Sequence, residues 1–534
     1  MAASKVLPRA RTPQSAGVSA KIVNEFLAEA KNRDLEYHSL MVVRNGKVAL
    51  EWYNAPYDKD TTHMVYSVSK SFTSTAIGFA ISEGLLSLDD KLLDFFPDYT
   101  PKKPDERFEK LTIRNLLRMS AGKQPSFLSD KSKIDWIEDY INAPWGFEPG
   151  EKFLYINENI FMLSAIINRV TGMCMRDYLE PRLFEPLGID YPVWETNENG
   201  IEAGGWGLYI KTEDLAKFML CYLNGGKYKG QQVIPAEWVK EATSVQIDNS
   251  YNRPGTDSSV GYGYCFWMNK NGGYRADGMF SQFGITFPEH NAVVVCTASI
   301  PVEQDGLDCI WDFFPKAFEE VEDEAKFETE PANPPAFSEH PAREDEINNR
   351  YIKFRKKILL DLVGFPVSVL PMAITYMMSD RAGNIDMVKF DFNGEECTFK
   401  WSEGDETNKI PLGMDGHYRY STMTLGKTEF KVCANATWLD DNSLLVSIRP
   451  IQTVGKRNLI FSFLPKDKVT MMPSSTPYVG DILSSLGGFF DQIIPVKPVC
   501  EAFKKFLQLL PPLVEPKHHG KFIEKRKSDF NENL

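Results

Sequence analysis

The 534-residue chain has no surplus of basic residues: 60 lysines and arginines face 73 aspartates and glutamates, a net charge of −13. A protein that neutralises nucleic-acid phosphates needs the opposite balance, so nucleic-acid binding is excluded as its main task. There is no C-x-x-C pair. The eight cysteines (Cys174, Cys221, Cys265, Cys296, Cys309, Cys397, Cys433 and Cys500) are scattered without metal-ligand spacing. Several lie in apolar runs, as Cys296 does after Ala292-Val293-Val294-Val295, which reads as buried free thiols in a reducing compartment. The seven histidines form no cluster beyond His518-His519, which reads as a solvated pair, so neither metal nor other cofactor is expected. The first twenty residues carry Lys5, Arg9 and Arg11 but lack the apolar core of a secretory signal. No clean membrane span exists either. Ile358 to Met378 has the length, but Asp361, Gly364, Pro366 and Pro371 interrupt it. No internal repeat and no Gly-x-Ser-x-Gly elbow is found. The expectation is a soluble, cytoplasmic chain with neither a nucleic-acid partner nor a span.

What is present is a well-packed composition, 43% hydrophobic and 12% aromatic, over a length that implies two or three domains. The most informative stretch is Ser67-Val68-Ser69-Lys70. Phe72, Ala76, Ile77, Phe79, Ala80 and Ile81 follow at near-helical spacing and Gly84 supplies a stop, so a largely buried helix is predicted over Ser67 to Glu83. Residues three apart share a helix face, which places Lys70 beside Ser67 at the helix start, where backbone N–H groups favour developing negative charge. A serine next to a desolvated amine, close to donors for an oxyanion, is the minimum equipment for acyl transfer. Ser-x-x-Lys alone is a weak pattern, and Ser120-Ala121-Gly122-Lys123 repeats it in a glycine-containing, loop-like context.

Along the chain, Ser19 to Asn32 reads as an amphipathic helix. Ser39 to Arg44 and Lys47 to Tyr53 flank Asn45-Gly46, a type I′ hairpin signal. Helical patterns follow at Leu111 to Leu117, Lys133 to Tyr140, Glu158 to Thr171, Met175 to Phe184 (with Pro181 a break point) and Thr212 to Leu223. Tyr262 to Met268, Phe280 to Pro288 and Ala292 to Ser299 read as strands, and Asp305 to Phe318 as a closing helix. This order predicts an α+β domain over residues 12–320 whose two chain ends complete one sheet. An acidic, proline-rich linker is expected over 321–343. A β-rich, barrel-like domain with a helical tail is expected over 344–534, opening with a helix from Glu344 to Leu362.

Several phrases now carry a resemblance. Tyr66-Ser67-Val68-Ser69-Lys70-Ser71-Phe72-Thr73 resembles the nucleophile helix of the serine β-lactamase and penicillin-binding-protein superfamily. Leu111 to Gly122 and Pro149-Gly150-Glu151-Lys152-Phe153-Leu154-Tyr155-Ile156-Asn157 resemble segments of its class C-like branch. Gly204-Gly205-Trp206-Gly207 and Asp214 to Phe218 continue in family order. Tyr-x-Asn also occurs at Tyr140 and Tyr222; the surrounding phrase selects Tyr155. Arg275-Ala276-Asp277-Gly278-Met279-Phe280-Ser281-Gln282 is closest in style to the aminohexanoate-oligomer hydrolases and related esterases.

The resemblance implies a β-lactamase/transpeptidase-like fold and a serine hydrolase acting on a small ester or amide. Ser67 would be the acylated nucleophile, Lys70 the base and Tyr155 the proton relay. Asn157 would position Lys70, and the N–H groups of Ser67 and Met279 would bind the oxyanion. Gly278, Asp277, Arg275 and Trp206 would line or support the substrate site. The third motif departs from the β-lactamase pattern, which places a cation where this chain has Ala276-Asp277-Gly278. Alternation on a strand leaves two arrangements, with either Ala276 or Asp277 facing the cleft, and Arg275 and Asp277 could simply pair on the solvent side. Hydrolysis of β-lactams or D-amino-acid peptides, or binding without catalysis, are the alternatives within the same superfamily.

Overall fold

The computed structural model describes residues 5–125, 135–321, 324–328, 337–338, 340–355, 368–371, 374, 383–426, 428–485, 494, 496–509 and 511–524. The chain forms two compact units, Met1–Glu330 and Pro331–Leu534. The first begins with α1 (Ala20–Asn32), β1 (Tyr37–Arg44), β2 (Lys47–Tyr53), β3 (His63–Met64) and α2 (Ser69–Ser82). A helical region follows: α3 (Ile113–Leu117), α4 (Trp136–Asn142), α5 (Asn157–Thr171), α6 (Met175–Leu179) and α7 (Glu185–Leu187). Then come β4 (Val193–Trp194), β5 (Leu208–Ile210), α8 (Thr212–Leu223), β6 (Lys227–Tyr228), β7 (Gln231–Gln232) and α9 (Ala236–Ala242). The unit ends with β8 (Trp267–Met268), β9 (Tyr274–Gly278), β10 (Gln282–Phe287), β11 (Ala292–Ala298) and α10 (Glu303–Glu319).

Six strands form an antiparallel sheet in the order β2-β1-β11-β10-β9-β8. The first and last strands of the unit are therefore neighbours, with Val42 opposite Val294. Every residue of β10 and β11 is buried, because helices cover both faces of the sheet. On one side α1 and α10 pack through Phe26, Ile310 and Phe314 onto Leu40, Val42, Phe283 and Val294. On the other side lies α8. Asn45 and Gly46 both have positive φ, 52° and 74°, as the β1–β2 turn requires.

The second unit holds the helix α11 (Pro341–Ile347) and the strands β12 (Tyr351–Phe354), β13 (Ile385–Asn393), β14 (Glu396–Glu403), β15 (Glu406–Gly413) and β16 (Arg419–Leu425). It continues with β17 (Thr428–Asp440), β18 (Ser443–Pro450), β19 (Lys456–Leu464), β20 (Lys468–Thr476) and β21 (His518–Ile523). They make one ten-stranded sheet, and Gly413 of β15 also pairs with Asn435 of β17, so the sheet closes into a barrel. Alternate residues point inward, as β14 displays: Cys397, Phe399, Trp401 and Glu403 are buried while their neighbours are not.

Two sequence expectations need correction. The helix expected from Glu344 to Leu362 is only α11; Asn349 takes φ 63°, and the chain then extends as β12 between β13 and β21, burying Ile352 and Phe354. Pairing in the barrel outweighs helical periodicity over so short a run. The strand expected over Tyr262 to Met268 is reduced to β8, since Cys265 is left-handed (φ 66°). The helical run Met175 to Phe184 is divided at the expected break point, with a wider turn at Glu180–Phe184 around Pro181. Most of the apolar stretch Ile358 to Met378, and the start of the helix expected at Lys133, lie outside the described residues. Among the described residues no helix is long and apolar enough to cross a membrane.

Candidate active site

Ser67 sits in a single tight turn, Tyr66–Val68, between β3 and α2. From His63 to Ala80 it is the one residue that is not buried. Apolar packing on every side of α2 explains the burial: Phe72 stacks on Phe218 with ring centroids 3.9 Å apart. Tyr66, immediately before Ser67, takes φ 47°, a left-handed conformation that is unusual for a bulky residue and tips the serine out of the buried run.

Lys70, one turn on, is 1% exposed. Its Nζ lies 2.8 Å from Ser67 Oγ, 2.7 Å from Asn157 Oδ1 and 2.6 Å from the Gly205 carbonyl oxygen. Burial pulls the lysine down to about 7, against the opposing influence of Cys265, Glu158 and Asp277. A neutral amine has two hydrogens and one lone pair. Asn157 Oδ1 and Gly205 O can only accept, so they take both hydrogens and leave the lone pair for the Ser67 hydroxyl proton. In that state Lys70 could accept the Ser67 proton, whereas as an ammonium it donates to all three partners. Burial raises the Tyr155 phenol well above the ordinary range, and the neighbouring Ser67 hydroxyl opposes that rise. Its ring lies under the lysine, with Nζ 4.8 Å from the centroid. A phenol so disfavoured as phenolate can hand on a proton but is a poor resting base.

The opposite wall is the end of β9. A Cβ on Gly278 would collide with the Val65 carbonyl oxygen and lie 3.3 Å from Ser67 N, so only glycine lets the strand come this close. Met279 follows in a turn whose next residues, Phe280 and Ser281, are both left-handed (φ 64° and 66°). Gln282 pins this turn: its Nε2 donates to the carbonyls of Met279 (3.2 Å), Phe280 (3.1 Å) and Ala298 (2.7 Å).

On β9 Ala276 is fully buried whereas Asp277 keeps partial exposure, and the Asp277 charge favours the protonated forms of both Lys70 and Tyr155. Arg275 does pair with Asp277, Nε to Oδ2 at 2.7 Å, but the pair is not on the solvent side. The guanidinium is 0% exposed and also bonds the Met268 carbonyl (2.9 Å) and Asn269 Oδ1 (3.2 Å). Arg275 thus cannot reach a substrate; it neutralises Asp277 from behind. Burial raises the Asp277 carboxyl, and Arg275 holds that rise in check.

Aromatic rings complete the cleft. Tyr155 lies 5.4 Å from Trp267, which packs against Tyr262 at 4.8 Å and Phe153 at 5.7 Å. Trp206, half-buried beside Gly205, stacks on Trp136 at 5.5 Å. Its carbonyl accepts from Trp194 Nε1 (2.8 Å), and nearby the Glu195 carboxyl, which accepts from the Tyr209 hydroxyl (3.2 Å), is pushed by burial up to about 7.

Two residues of this site were not singled out from the sequence. Gln282 stood in a quoted motif without a role. Glu303 reads as an ordinary acid in a first helical turn, yet its carboxylate lies 3.8 Å from Arg253 and is pushed by burial up to about 7. The second Ser-x-x-Lys is a different object. Ser120 is fully buried and accepts from Arg118. Lys123 donates to the Ile141 and Ala143 carbonyls (2.9 and 3.0 Å), with its ammonium 3.9 Å from the Trp145 ring centre. Its lysine is also pulled by burial down to about 7. Burial alone therefore does not separate the two lysines; the partner does. Among the described residues no cluster of side chains could hold a metal ion.

A family model described as Beta-lactamase matches residues 25–310, more than half of the chain. The 6-aminohexanoate-dimer hydrolase of Paenarthrobacter ureafaciens is 23% identical over 299 residues, covering 49% of this chain and 72% of that protein. A beta-lactamase of Escherichia coli K12 is 26% identical over 186 residues, 31% of this chain and 48% of that protein. Among solved structures, the octameric penicillin-binding protein homologue from Pyrococcus abyssi superposes with a TM-score of 0.43 at 17% identity, covering 84% of this chain and 97% of that one.

Proposed function

The chain belongs to the beta-lactamase family of serine hydrolases, and within it we propose that it hydrolyses a small ester or amide through an acyl-enzyme on Ser67. One observation carries the reading: the only reachable residue of a buried stretch is a serine whose hydroxyl meets a buried lysine with both its other partners acceptors. Ser67 Oγ attacks the carbonyl carbon while its proton passes to Lys70 Nζ. The oxygen of the tetrahedral intermediate gathers charge against the N–H groups of Ser67 and Met279, the latter held in place by Gln282. Collapse breaks the bond to the leaving alcohol or amine, which takes the Tyr155 proton; Lys70 restores it. Water, deprotonated by the same groups, then attacks the acyl-enzyme and releases the acid.

The third motif supports a neutral or amino-terminated substrate. Asp277 with Arg275, and Glu303 with Arg253, set two carboxylates against two guanidiniums, so this wall offers no surplus cation to a substrate carboxylate. The aromatic wall of Tyr155 and Trp267 suits an apolar acyl or leaving group. Amide hydrolysis is in keeping with the similarity to a 6-aminohexanoate-dimer hydrolase.

Intact-mass spectrometry after treatment with a fluorophosphonate tests the nucleophile. One adduct is expected on the wild-type chain and on Ser120→Ala, and none on Ser67→Ala. An adduct that persists in Ser67→Ala, or maps to Ser120, overturns the assignment.

A further inference from the structure

The helix Lys497–Leu507 of the second unit is apolar over a wider arc than the protein covers. Cys500 and Leu507 are buried on one side of it. On the adjoining side Val496, Val499, Phe506 and, just beyond the helix, Leu509 are 54%, 55%, 54% and 68% exposed, and Ala502 between them is exposed as well. Steps of three and four residues place these five side chains in one continuous stripe. Single exposed apolar residues are ordinary on a protein surface, but a full-length stripe next to a buried seam is not.

Charge selects what covers the stripe. The helix carries Lys497, Lys504 and Lys505 against the single acid Glu501, within a chain of net charge −13. Lys504 lies 3.6 Å from Glu501, whereas Lys497 and Lys505 are exposed. Lys505, one turn from both Ala502 and Leu509, borders the stripe directly. Pairing with the same helix of a second copy would bring these lysines against each other, which like-charge repulsion opposes. A negatively charged surface with an apolar layer beneath it satisfies both features. Eleven residues span only about 16 Å as a helix, too short to cross a bilayer and suited to lying in its interface.

We propose that the helix Lys497–Leu507 docks the protein on anionic lipid membranes, with Val499, Phe506 and Leu509 in the acyl boundary and Lys497 and Lys505 among the headgroups. One short helix with few large apolar residues gives weak, reversible binding that depends on anionic lipid and falls with salt.

Co-sedimentation of the full chain with phosphatidylcholine vesicles, with and without phosphatidylglycerol, tests this. Binding is expected only with phosphatidylglycerol, decreasing as salt is raised. The partition should drop by about tenfold or more in Val499→Glu/Phe506→Glu and, through the charges alone, in Lys497→Glu/Lys505→Glu. Both pairs lie on the surface, and an unchanged unfolding midpoint ensures that lost binding is not lost folding. Failure of the wild-type chain to bind phosphatidylglycerol vesicles overturns the proposal, as does undiminished binding by both variants. A doubled mass in light scattering that Val499→Glu/Phe506→Glu abolishes assigns the stripe to a second copy and overturns it equally.

Discussion

Replacing Gly278 by alanine asks how closely β9 must approach Ser67. The added methyl would overlap the Val65 carbonyl oxygen and stand 3.1 Å from Gln282 Cβ and 3.3 Å from Ser67 N. None of these is the end of a flexible side chain, so relief comes only from moving the strand, by about 1 Å to restore ordinary contact. Met279 follows Gly278 directly and moves with it. A misplacement of that size in a catalytic constellation costs about 10²-fold in rate, and losing one oxyanion donor costs about 10²–10³-fold, or roughly 3–4 kcal/mol of barrier. Overpacking should also destabilise the fold, by about 1–3 kcal/mol. Gly284→Ala is the matched control in the neighbouring strand. Its methyl would press on Met219 Cγ at 2.6 Å and Leu215 Cδ1 at 3.3 Å, flexible side chains of α8 on the far face of the sheet. It should lower the unfolding midpoint and leave kcat almost unchanged. Steady-state kinetics on a p-nitrophenyl ester, with denaturant unfolding of both variants, gives the comparison. A Gly278→Ala enzyme with kcat within twofold of wild type, or equal kcat losses in both variants, would refute the reasoning.

The pH profile of ester hydrolysis should follow Lys70. The base must be neutral, and burial brings its release down to about 7, so kcat/KM should rise with pH through that value and level off above it. Lys70→Ala should lose about 10²-fold or more and the rise with it, and a flat wild-type profile between pH 5 and pH 9 would count against Lys70, those limits being about two units either side of the midpoint. Arg275→Met leaves the Asp277 carboxylate buried beside an apolar chain and should cost about 3–5 kcal/mol in urea unfolding, with much of it recovered in Arg275→Met/Asp277→Asn. No recovery in the double variant would mean that Arg275 stabilises through Met268 and Asn269 instead. Nitrocefin, which carries a carboxylate next to its reacting ring, should be turned over far less efficiently than a short-chain ester; a kcat/KM for nitrocefin equal to or above the ester's would contradict the neutral-wall argument.

The chain's own pattern determined a good deal. The β1–β2 hairpin follows from Asn45-Gly46, because few residues accept two successive positive φ angles. The helix α2 follows from unbroken apolar spacing between Phe72 and Ile81, and Ser67 and Lys70 sit one turn apart whatever surrounds them. The β-rich character of the second unit was legible in its strand-like pattern, since a strand's period of two is set by the backbone alone.

Only the tertiary structure decided what those local units do to one another. Two Ser-x-x-Lys motifs look alike in the sequence, and both lysines are buried; Lys70 meets a serine and two acceptors, Lys123 two carbonyls and an aromatic ring. That difference comes from residues 87 and 135 positions away, Asn157 and Gly205, which no local pattern ties to Lys70. Alternation left the faces of Ala276 and Asp277 open, and only the folded sheet buries Ala276 fully and pairs the partly exposed Asp277 with Arg275. Glu303 begins a helix like many other acids, and gains its meaning because the fold buries its carboxylate beside Arg253. Local periodicity is fixed by covalent geometry and side-chain sterics, whereas the state of a buried charge is fixed by whichever distant groups close around it and exclude water.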